Sequence, residues 1–139
     1  MCLLKMSEIK TYSQEESYEM LDNNINDFKS VYGFKIEKDK IIPPMIKFDK
    51  CVYERLEAFN SEEAADLGWT MYGVFQLVMG EIDREDYDAN PIGDKEMFEP
   101  SKEFKHWLDM HYMWGPLMIM QAVLYGNYKL KKDKANETN

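Results

Sequence analysis

The chain has few of the residues on which common reactive or metal sites are built. It contains two cysteines, Cys2 and Cys51, and two histidines, His106 and His111, among 139 residues. Two cysteines do not make the framework of a disulfide-rich secreted domain. His106 and His111 are five residues apart and so do not share a helix face as a metal pair spaced by four would. We therefore predict no disulfide framework and no zinc site.

Basic residues are also in deficit. The chain has 17 Lys and Arg against 26 Asp and Glu, a formal net charge of −9. Phosphate contacts need Lys and Arg, so this balance argues against direct binding to nucleic acid or to an anionic membrane. It permits a basic protein partner, whose encounter the negative charge would speed.

One long stretch, from Met110 to Tyr128, has no charged side chain if His111 is neutral. Its length is near that of a membrane span, but it contains Gly115 and Pro116 and no cluster of bases precedes it. We interpret it as the core of a soluble domain. The opening MCLLK is too short for a signal peptide, and two cysteines suit a reducing compartment, so we expect a cytoplasmic protein. Met6 starts a second plausible beginning of the chain.

Apolar spacing predicts four helices and therefore a mainly α fold. The first helix begins at Ser13, with Glu16 at capping-box spacing, and ends near Gly33. One stripe of this helix is apolar and should face the core, whereas the opposite face is acidic and should face solvent. The stripe is Tyr18, Leu21, Ile25 and Phe28, and the acidic face carries Glu15, Glu19, Asp22 and Asp27.

Three further helices complete the prediction. The second follows Pro43-Pro44 and carries one apolar face, formed by Met45, Phe48, Val52, Leu56 and Phe59. The third begins at Asn60 or Ser61, continues to Ile82 and is apolar on most of its circumference. The fourth occupies 101–125 and is broken at Gly115-Pro116, because proline removes a backbone donor.

Short strands complete the predicted fold. Alternation in 34–42 predicts a hairpin, or one strand and a turn. Tyr128-Lys129-Leu130 is predicted as a strand beside Phe34-Lys35-Ile36, which gives a minor element of two or three strands. We see no linker, and we predict one domain over 1–139 with frayed ends at 1–6 and 131–139.

The segment 81–103, here called the acidic segment, carries nine acids and three bases, a local net charge of −6. Turn signals within it predict a long surface loop over 86–100, and loops of this length are often functional. Carboxylates in such a loop can imitate a row of phosphates for a nucleic-acid-binding protein. The predicted partner-binding residues are Glu81, Asp83, Glu85, Asp86, Asp88, Asp94, Glu96 and Glu99.

Two metal motifs compete with that interpretation. Asp86-x-Asp88-x-Asn90 is similar to the start of a calcium loop, but Pro91 stands where such a loop needs glycine and Met97 where it needs glutamate. A second set of acids has spacing similar to that of the all-α nucleoside triphosphate pyrophosphatases, in which paired carboxylates hold magnesium. This set is Glu62, Glu63, Asp66, Glu85 and Asp88.

The segment Ile41-Ile42-Pro43-Pro44-Met45-Ile46, the helix after it, and 119–130 resemble a family of small proteins of unknown function from phages and prophages of low-GC Gram-positive bacteria. Asn127, inserted between Gly126 and Tyr128, departs from the family's pattern. The resemblance implies a phage accessory protein that binds one host protein, as anti-CRISPR and other anti-defence proteins do. It supplies no catalytic residues.

The sequence therefore favours a non-enzymatic inhibitor that binds a basic host nuclease or nucleic-acid-binding protein. It has no Gly-rich phosphate loop and no Gly-x-Ser-x-Gly elbow, and we predict neither catalytic residues nor a cofactor. The alternatives are the magnesium-dependent pyrophosphatase and a structural homo-oligomer with Met110, Met113 and Trp114 at an interface.

Overall fold

The fold is mainly helical in the computed structural model, which describes residues 11–132. The predicted frayed ends lie outside these residues, apart from Lys131 and Lys132. The elements in chain order are α1 (Gln14–Tyr32), β1 (Lys35–Glu37), β2 (Lys40–Ile42), β3 (Ile46–Phe48), α2 (Lys50–Phe59), α3 (Glu62–Asp66), α4 (Met71–Met79), α5 (Arg84–Ala89), a 3-10 turn (Lys95–Met97), α6 (Lys102–Met110), α7 (Gly115–Tyr125) and β4 (Tyr128–Leu130).

The prediction of four helices is wrong in number. The third predicted helix is divided into α3 and α4, the fourth into α6 and α7, and α5 was not predicted. The third predicted helix is interrupted between α3 and α4. Gly68 has a φ of +89° there, a conformation that no helix interior contains. Thr70 then caps α4 by accepting a hydrogen bond from the Gly73 N–H at 2.9 Å. The acidic segment also contains a helix of its own, α5.

The second helix begins later than predicted, because Ile46-Lys47-Phe48 forms β3. Ile46 and Phe48 are fully buried and Lys47 between them is exposed, which is the period of a strand. β4 pairs with β3 in parallel, with Ile46 opposite Tyr128, and not with the predicted 34–36. The pairing continues past β4, since the Lys131 N–H donates to the Phe48 carbonyl at 2.7 Å.

The hairpin predicted over 34–42 is confirmed. β1 and β2 pair antiparallel, with Ile36 opposite Ile41. Lys38 and Asp39 between them have φ values of 49° and 66°, which is the backbone of a tight two-residue hairpin turn. Every residue of both strands is exposed, so the hairpin projects from the body of the protein.

The core lies between α2, α4, α6 and α7, and α4 packs on both α7 and α2. α6 and α7 come from the predicted fourth helix, which is broken at 111–114, immediately before Gly115-Pro116. Pro116 stands in the first turn of α7, where proline needs no hydrogen-bond donor. The fully buried side chains include Phe48, Phe59, Leu56, Leu77, Phe104 and Ile119.

α1 confirms its predicted ends but not its predicted orientation. The capping box is present: the Glu16 N–H donates to Ser13 Oγ, and the Ser13 N–H donates to the Glu16 carboxylate, both at 3.1 Å. The apolar stripe predicted for the core is exposed, at 59% for Tyr18 and 57% for Ile25. Asp27, predicted to face solvent, is only 4% exposed.

Candidate functional site

The acidic segment is a folded surface and not the long irregular loop that was predicted over 86–100. Its apolar residues Tyr87, Ile92 and Phe98 are buried. The Tyr87 hydroxyl donates to the Ile92 carbonyl at 2.6 Å, and the rings of Tyr87 and Phe98 are 4.6 Å apart. Burial raises the pKa of Tyr87, so its hydroxyl stays protonated and can donate. These three side chains belong to the hydrophobic core of the domain and anchor the segment in it.

Two neighbouring elements attach the segment to the body. The indole N–H of Trp69 donates to the Asn90 carbonyl at 3.0 Å, and the Asn90 amide donates to the Leu67 carbonyl at 2.9 Å. Gly93 adopts a φ of +67°, and a Cβ there would lie 2.4 Å from the Ala58 carbonyl oxygen on α2. The backbone therefore approaches α2 too closely for any other residue.

All eight predicted partner-binding acids are exposed on this surface: Glu81, Asp83, Glu85, Asp86, Asp88, Asp94, Glu96 and Glu99. Two of them also have local partners. Asp88 accepts from Arg84 at 3.2 Å, and Asp94 accepts from the Glu96 N–H at 3.1 Å. Glu85 and Asp86 lie in the first turn of α5, where the helix N-terminus favours negative charge.

A buried arginine joins this surface to the core. Arg55 on α2 is 2% exposed, and its guanidinium donates to the Val78 carbonyl at 2.7 Å and to the Leu77 carbonyl at 2.8 Å. It also donates to the carbonyls of Met97 and Phe98, at the end of the acidic segment. Burial lowers the pKa of Arg55 to about 10, against the opposing effect of the Glu99 carboxylate, so the group is charged at neutral pH.

Sequence patterns do not single out Arg55, because a charged residue in an amphipathic helix normally lies on the solvent-facing side. The available signal was positional: Arg55 falls three residues after Val52 and four before Phe59, inside the apolar stripe. The guanidinium lies over the rings of Phe59 and Phe104, at 5.3 and 5.1 Å from their centroids. Such cation–π contacts help to hold the charge in an apolar environment.

The carboxylates of the pyrophosphatase alternative lie on α3 and α5. α3 has five residues, and Asp88 on α5 is paired with Arg84. Within 11–132, no three or more His, Cys, Asp or Glu side chains are arranged so that they could hold a metal ion. The described residues include both candidate metal sets, the calcium-like run 86–90 and the five carboxylates Glu62, Glu63, Asp66, Glu85 and Asp88.

A second polar feature lies at the C-terminal end of α6, where His111 follows the last turn. His111 Nδ1 is 2.6 Å from Asp27 Oδ2 on α1, and the His111 ring stacks on Trp107 with centroids 4.3 Å apart. His111 is therefore a hydrogen-bonded, largely buried residue. The two residues are 84 positions apart, and no sequence spacing indicates the pair.

A cleft of about 450 Å³ opens beside this pair, and both histidines and Cys51 contribute to its walls. Burial, followed by the nearby Asp49 carboxylate, raises the pKa of the Cys51 thiol above its usual value. A catalytic cysteine needs the thiolate form at neutral pH. The cleft therefore brings Cys51 close to both histidines, which no sequence spacing indicated. The raised pKa of the thiol nevertheless argues against a nucleophilic cysteine.

The third surface is the outward face of α1. Tyr18, Leu21, Ile25, Phe28 and Tyr32 are each at least half exposed. The rings of Phe28 and Tyr32 each lie 5.7 Å from Trp114, which is half-buried beneath them. Of the three residues predicted at a homo-oligomer interface, Met113 is 50% exposed, whereas Met110 is buried at 4% and is unavailable.

No helix in the described part of the chain combines the length and the hydrophobicity that a membrane crossing requires. Comparisons with protein-family models, with curated proteins and with solved structures found no match to this chain.

Proposed function

We propose that this protein is a non-enzymatic binding protein that docks the acidic segment on a basic protein partner. The observation that supports this proposal is the exposure of all eight acids on a segment whose apolar residues are anchored in the core of the domain. A surface whose backbone is already folded loses less conformational entropy on binding than an irregular loop would. Clustered negative charge on such a surface also raises the rate of encounter with a basic partner.

The proposed partner is a host nuclease or another nucleic-acid-binding protein, because its phosphate-binding groove carries the complementary Lys and Arg. The protein would then act as an inhibitor by occupying that groove. The more specific proposal of a phage anti-CRISPR or anti-defence role depends on the sequence resemblance at 41–46 and 119–130.

The test is a pull-down from host lysate at low and high salt with three forms of the protein. The surface variant reverses Glu85, Asp86 and Glu96, which avoids the two acids that have structural partners. The matched control reverses Glu37, Glu54 and Glu62, which are exposed outside the segment. Each triple reversal adds two charges per residue and moves the net charge from −9 to −3.

We expect the surface variant to lose the salt-sensitive partner and the control variant to retain it, since the effect of net charge is equal in both. The captured protein should be basic and should bind nucleic acid, and competing DNA or RNA should release it. Equal loss of binding in both variants would show that net charge alone is responsible. Retention of binding in both would exclude the acidic segment.

The pyrophosphatase alternative gains no support from the positions of its five carboxylates, as described above. It makes a separate prediction, which is magnesium-dependent hydrolysis of nucleoside triphosphates. A turnover assay distinguishes the two functions, because the proposed binding protein releases no pyrophosphate.

A further inference from the structure

The faces of α1 are arranged in the opposite way to those of an ordinary surface helix. Its inward face makes polar contacts: the Asn23 amide donates to the Met110 carbonyl at 3.1 Å, and Asp27 pairs with His111. The Gln121 amide of α7 donates to the Val31 carbonyl at 2.8 Å. The apolar stripe consequently points away from the body. Large apolar patches on a surface mark interaction sites.

The spacing of this stripe is that of a helix that packs on another helix. The stripe extends beyond the four predicted residues by one residue at each end. Its members are separated by 4, 3, 4, 3 and 4 residues, which is the spacing of the a and d positions of a heptad repeat. The residues in order are Gln14, Tyr18, Leu21, Ile25, Phe28 and Tyr32. All six are exposed. A partner helix is therefore the best fit to this face.

Charge along the helix identifies which partner helix fits. Glu15, Asp22 and Lys29 are seven residues apart and line one edge of the stripe. The N-terminal half of α1 is acidic, whereas its C-terminal end carries Lys29 and leads into Lys35 of β1. A second copy in antiparallel orientation places each acidic half beside the other copy's basic end, and it opposes the two helix dipoles.

The same antiparallel pairing matches the apolar residues. With the two-fold axis near residue 23, Tyr18 lies opposite Phe28 of the second copy, and Leu21 opposite Ile25. A two-fold interface repeats every contact twice. Glu15 of each copy then lies beside Lys29 of the other. Asp22, near the axis, faces Asp22 of the second copy and is the one unfavourable pair.

The available area is sufficient for a weak dimer. Aromatic and large aliphatic side chains present roughly 150–250 Å² each when fully exposed, and five on this stripe are 51–61% exposed. This gives on the order of 500 Å² per copy before Trp114, Met113 and the flanking polar residues are added. The total for two copies is then about 1,000 to 1,200 Å², the lower end of specific interfaces.

We propose that the outward face of α1 binds the same face of a second copy, as an antiparallel two-helix contact. This inference goes beyond the proposed function and uses different residues. The inward polar contacts hold α1 on its own copy, and they leave the heptad stripe free for the other. The dimer presents two acidic segments, one on each copy.

The first test is the mass of the purified full chain in solution, measured by sedimentation velocity between about 1 and 200 µM. We expect a concentration-dependent rise from 16.5 kDa toward twice that value. Ile25→Asp, in the middle of the stripe, should remain monomeric throughout. Met71→Asp, a similarly exposed apolar residue on α4, should dimerise as wild type does, and circular dichroism should show both variants folded.

The second test is a charge exchange that only an antiparallel second copy can satisfy. Glu15→Lys and Lys29→Glu should each weaken the dimer by roughly five- to tenfold in Kd, since two surface pairs become repulsive. The double variant should restore the wild-type Kd. Glu15 and Lys29 of one copy are fourteen residues, about 21 Å, apart along the helix and cannot pair directly. Asp22→Asn should tighten the dimer about two- to fivefold.

A monomeric mass at 200 µM would overturn the proposal, and the apolar stripe would then be a binding site for a different protein. A dimer unaffected by Ile25→Asp would place the contact elsewhere. Failure of the double charge exchange to restore binding would exclude the antiparallel arrangement. None of these results changes the pull-down expected for the acidic segment, so the two proposals can fail separately.

Discussion

Removal of the Arg55 guanidinium should destabilise the protein more than any surface substitution. The group is buried, and its hydrogen bonds end on backbone carbonyls of α4 and of the acidic segment. Leu77 and Val78 belong to the last turn of α4, whose carbonyls have no partner four residues on within the helix, and the Leu77 carbonyl also accepts a longer bond from the Gly80 N–H at 3.2 Å. Arg55 supplies a donor to both carbonyls, and its positive charge is favourable at this end of the helix.

The expected loss for Arg55→Met is about 3–5 kcal/mol in the free energy of unfolding. Hydrogen bonds to a charged group contribute about 1.5–3 kcal/mol each, and two of these bonds are 2.8 Å or shorter with good burial. Buried ion pairs can sometimes be replaced by apolar residues without loss. That exception does not apply here, because substitution cannot remove the buried backbone carbonyls that Arg55 satisfies, such as that of Val78. Total stabilities of about 5–15 kcal/mol make the effect large.

Urea unfolding followed by tryptophan fluorescence measures this loss, with Arg84→Met as the matched control. Arg84 is half exposed and pairs with Asp88, so its removal should cost at most about 1 kcal/mol. Arg55→Lys should fall between them, because an ammonium cannot reach all four carbonyls. Amide exchange should rise in 92–99 in the Arg55 variants. A loss below about 1 kcal/mol for Arg55→Met would refute this account of the arginine.

The remaining predictions concern Tyr128 and the buried His111 pair. Burial, and then the Glu57 carboxylate, raises the pKa of Tyr128 from 10.0 to about 12, so ionisation favours the unfolded chain and stability should fall as pH rises between these values. Tyr128→Phe should flatten that fall in a pH series of urea unfolding; an unchanged slope would contradict the assignment. Asp27→Ala should cost about 3 kcal/mol, because it leaves the His111 ring without its acceptor, and Asp27→Asn should cost less. Thermal unfolding that matched wild type for both would show that the pair is unimportant.

Local patterns predicted where most helices lie but not which side of α1 faces inward. Both ends of α1 can be predicted from sequence, because the capping box at Ser13 and the stop at Gly33 depend only on residues nearby in the chain. The direction of the apolar stripe depends on which groups the body offers to α1. The body offers Met110 O and His111, which are polar, and Asn23 and Asp27 satisfy them. Periodicity alone does not contain that information.

The strand pairing failed for a related reason. Phe48 fits a helical stripe that begins at Met45 and continues to Val52 and Leu56, whereas Ile46 and Phe48 together fit the alternation of a strand. Ile46-Lys47-Phe48 forms a strand because β4, about 80 residues later in the chain, supplies the hydrogen bonds of a parallel partner. A parallel pair needs a long crossover, and here α2 to α7 all lie within it.

The candidate surfaces were predicted unevenly. The eight acids are exposed as predicted, because a charged run without apolar spacing has few ways to be buried. The support beneath them was missed, since Tyr87, Ile92 and Phe98 are too widely spaced among charged residues to show a period. Arg55 was missed because isolated charges are normally assigned to solvent, although its position within the α2 stripe was visible.

Salt should weaken binding at the acidic segment but not at the α1 stripe, because the two surfaces bind through different interactions. Contacts made by the acidic segment are between exposed charges, which ions screen over a Debye length of about 8 Å at physiological strength. The α1 stripe is apolar, and two copies with a net charge of −9 each also repel one another at long range. Added salt screens that repulsion while it leaves apolar burial intact. Raising the salt should therefore release a basic partner while the dimer persists or tightens. Loss of both together would indicate that α1 associates through its charges and not through Leu21, Ile25 and Phe28.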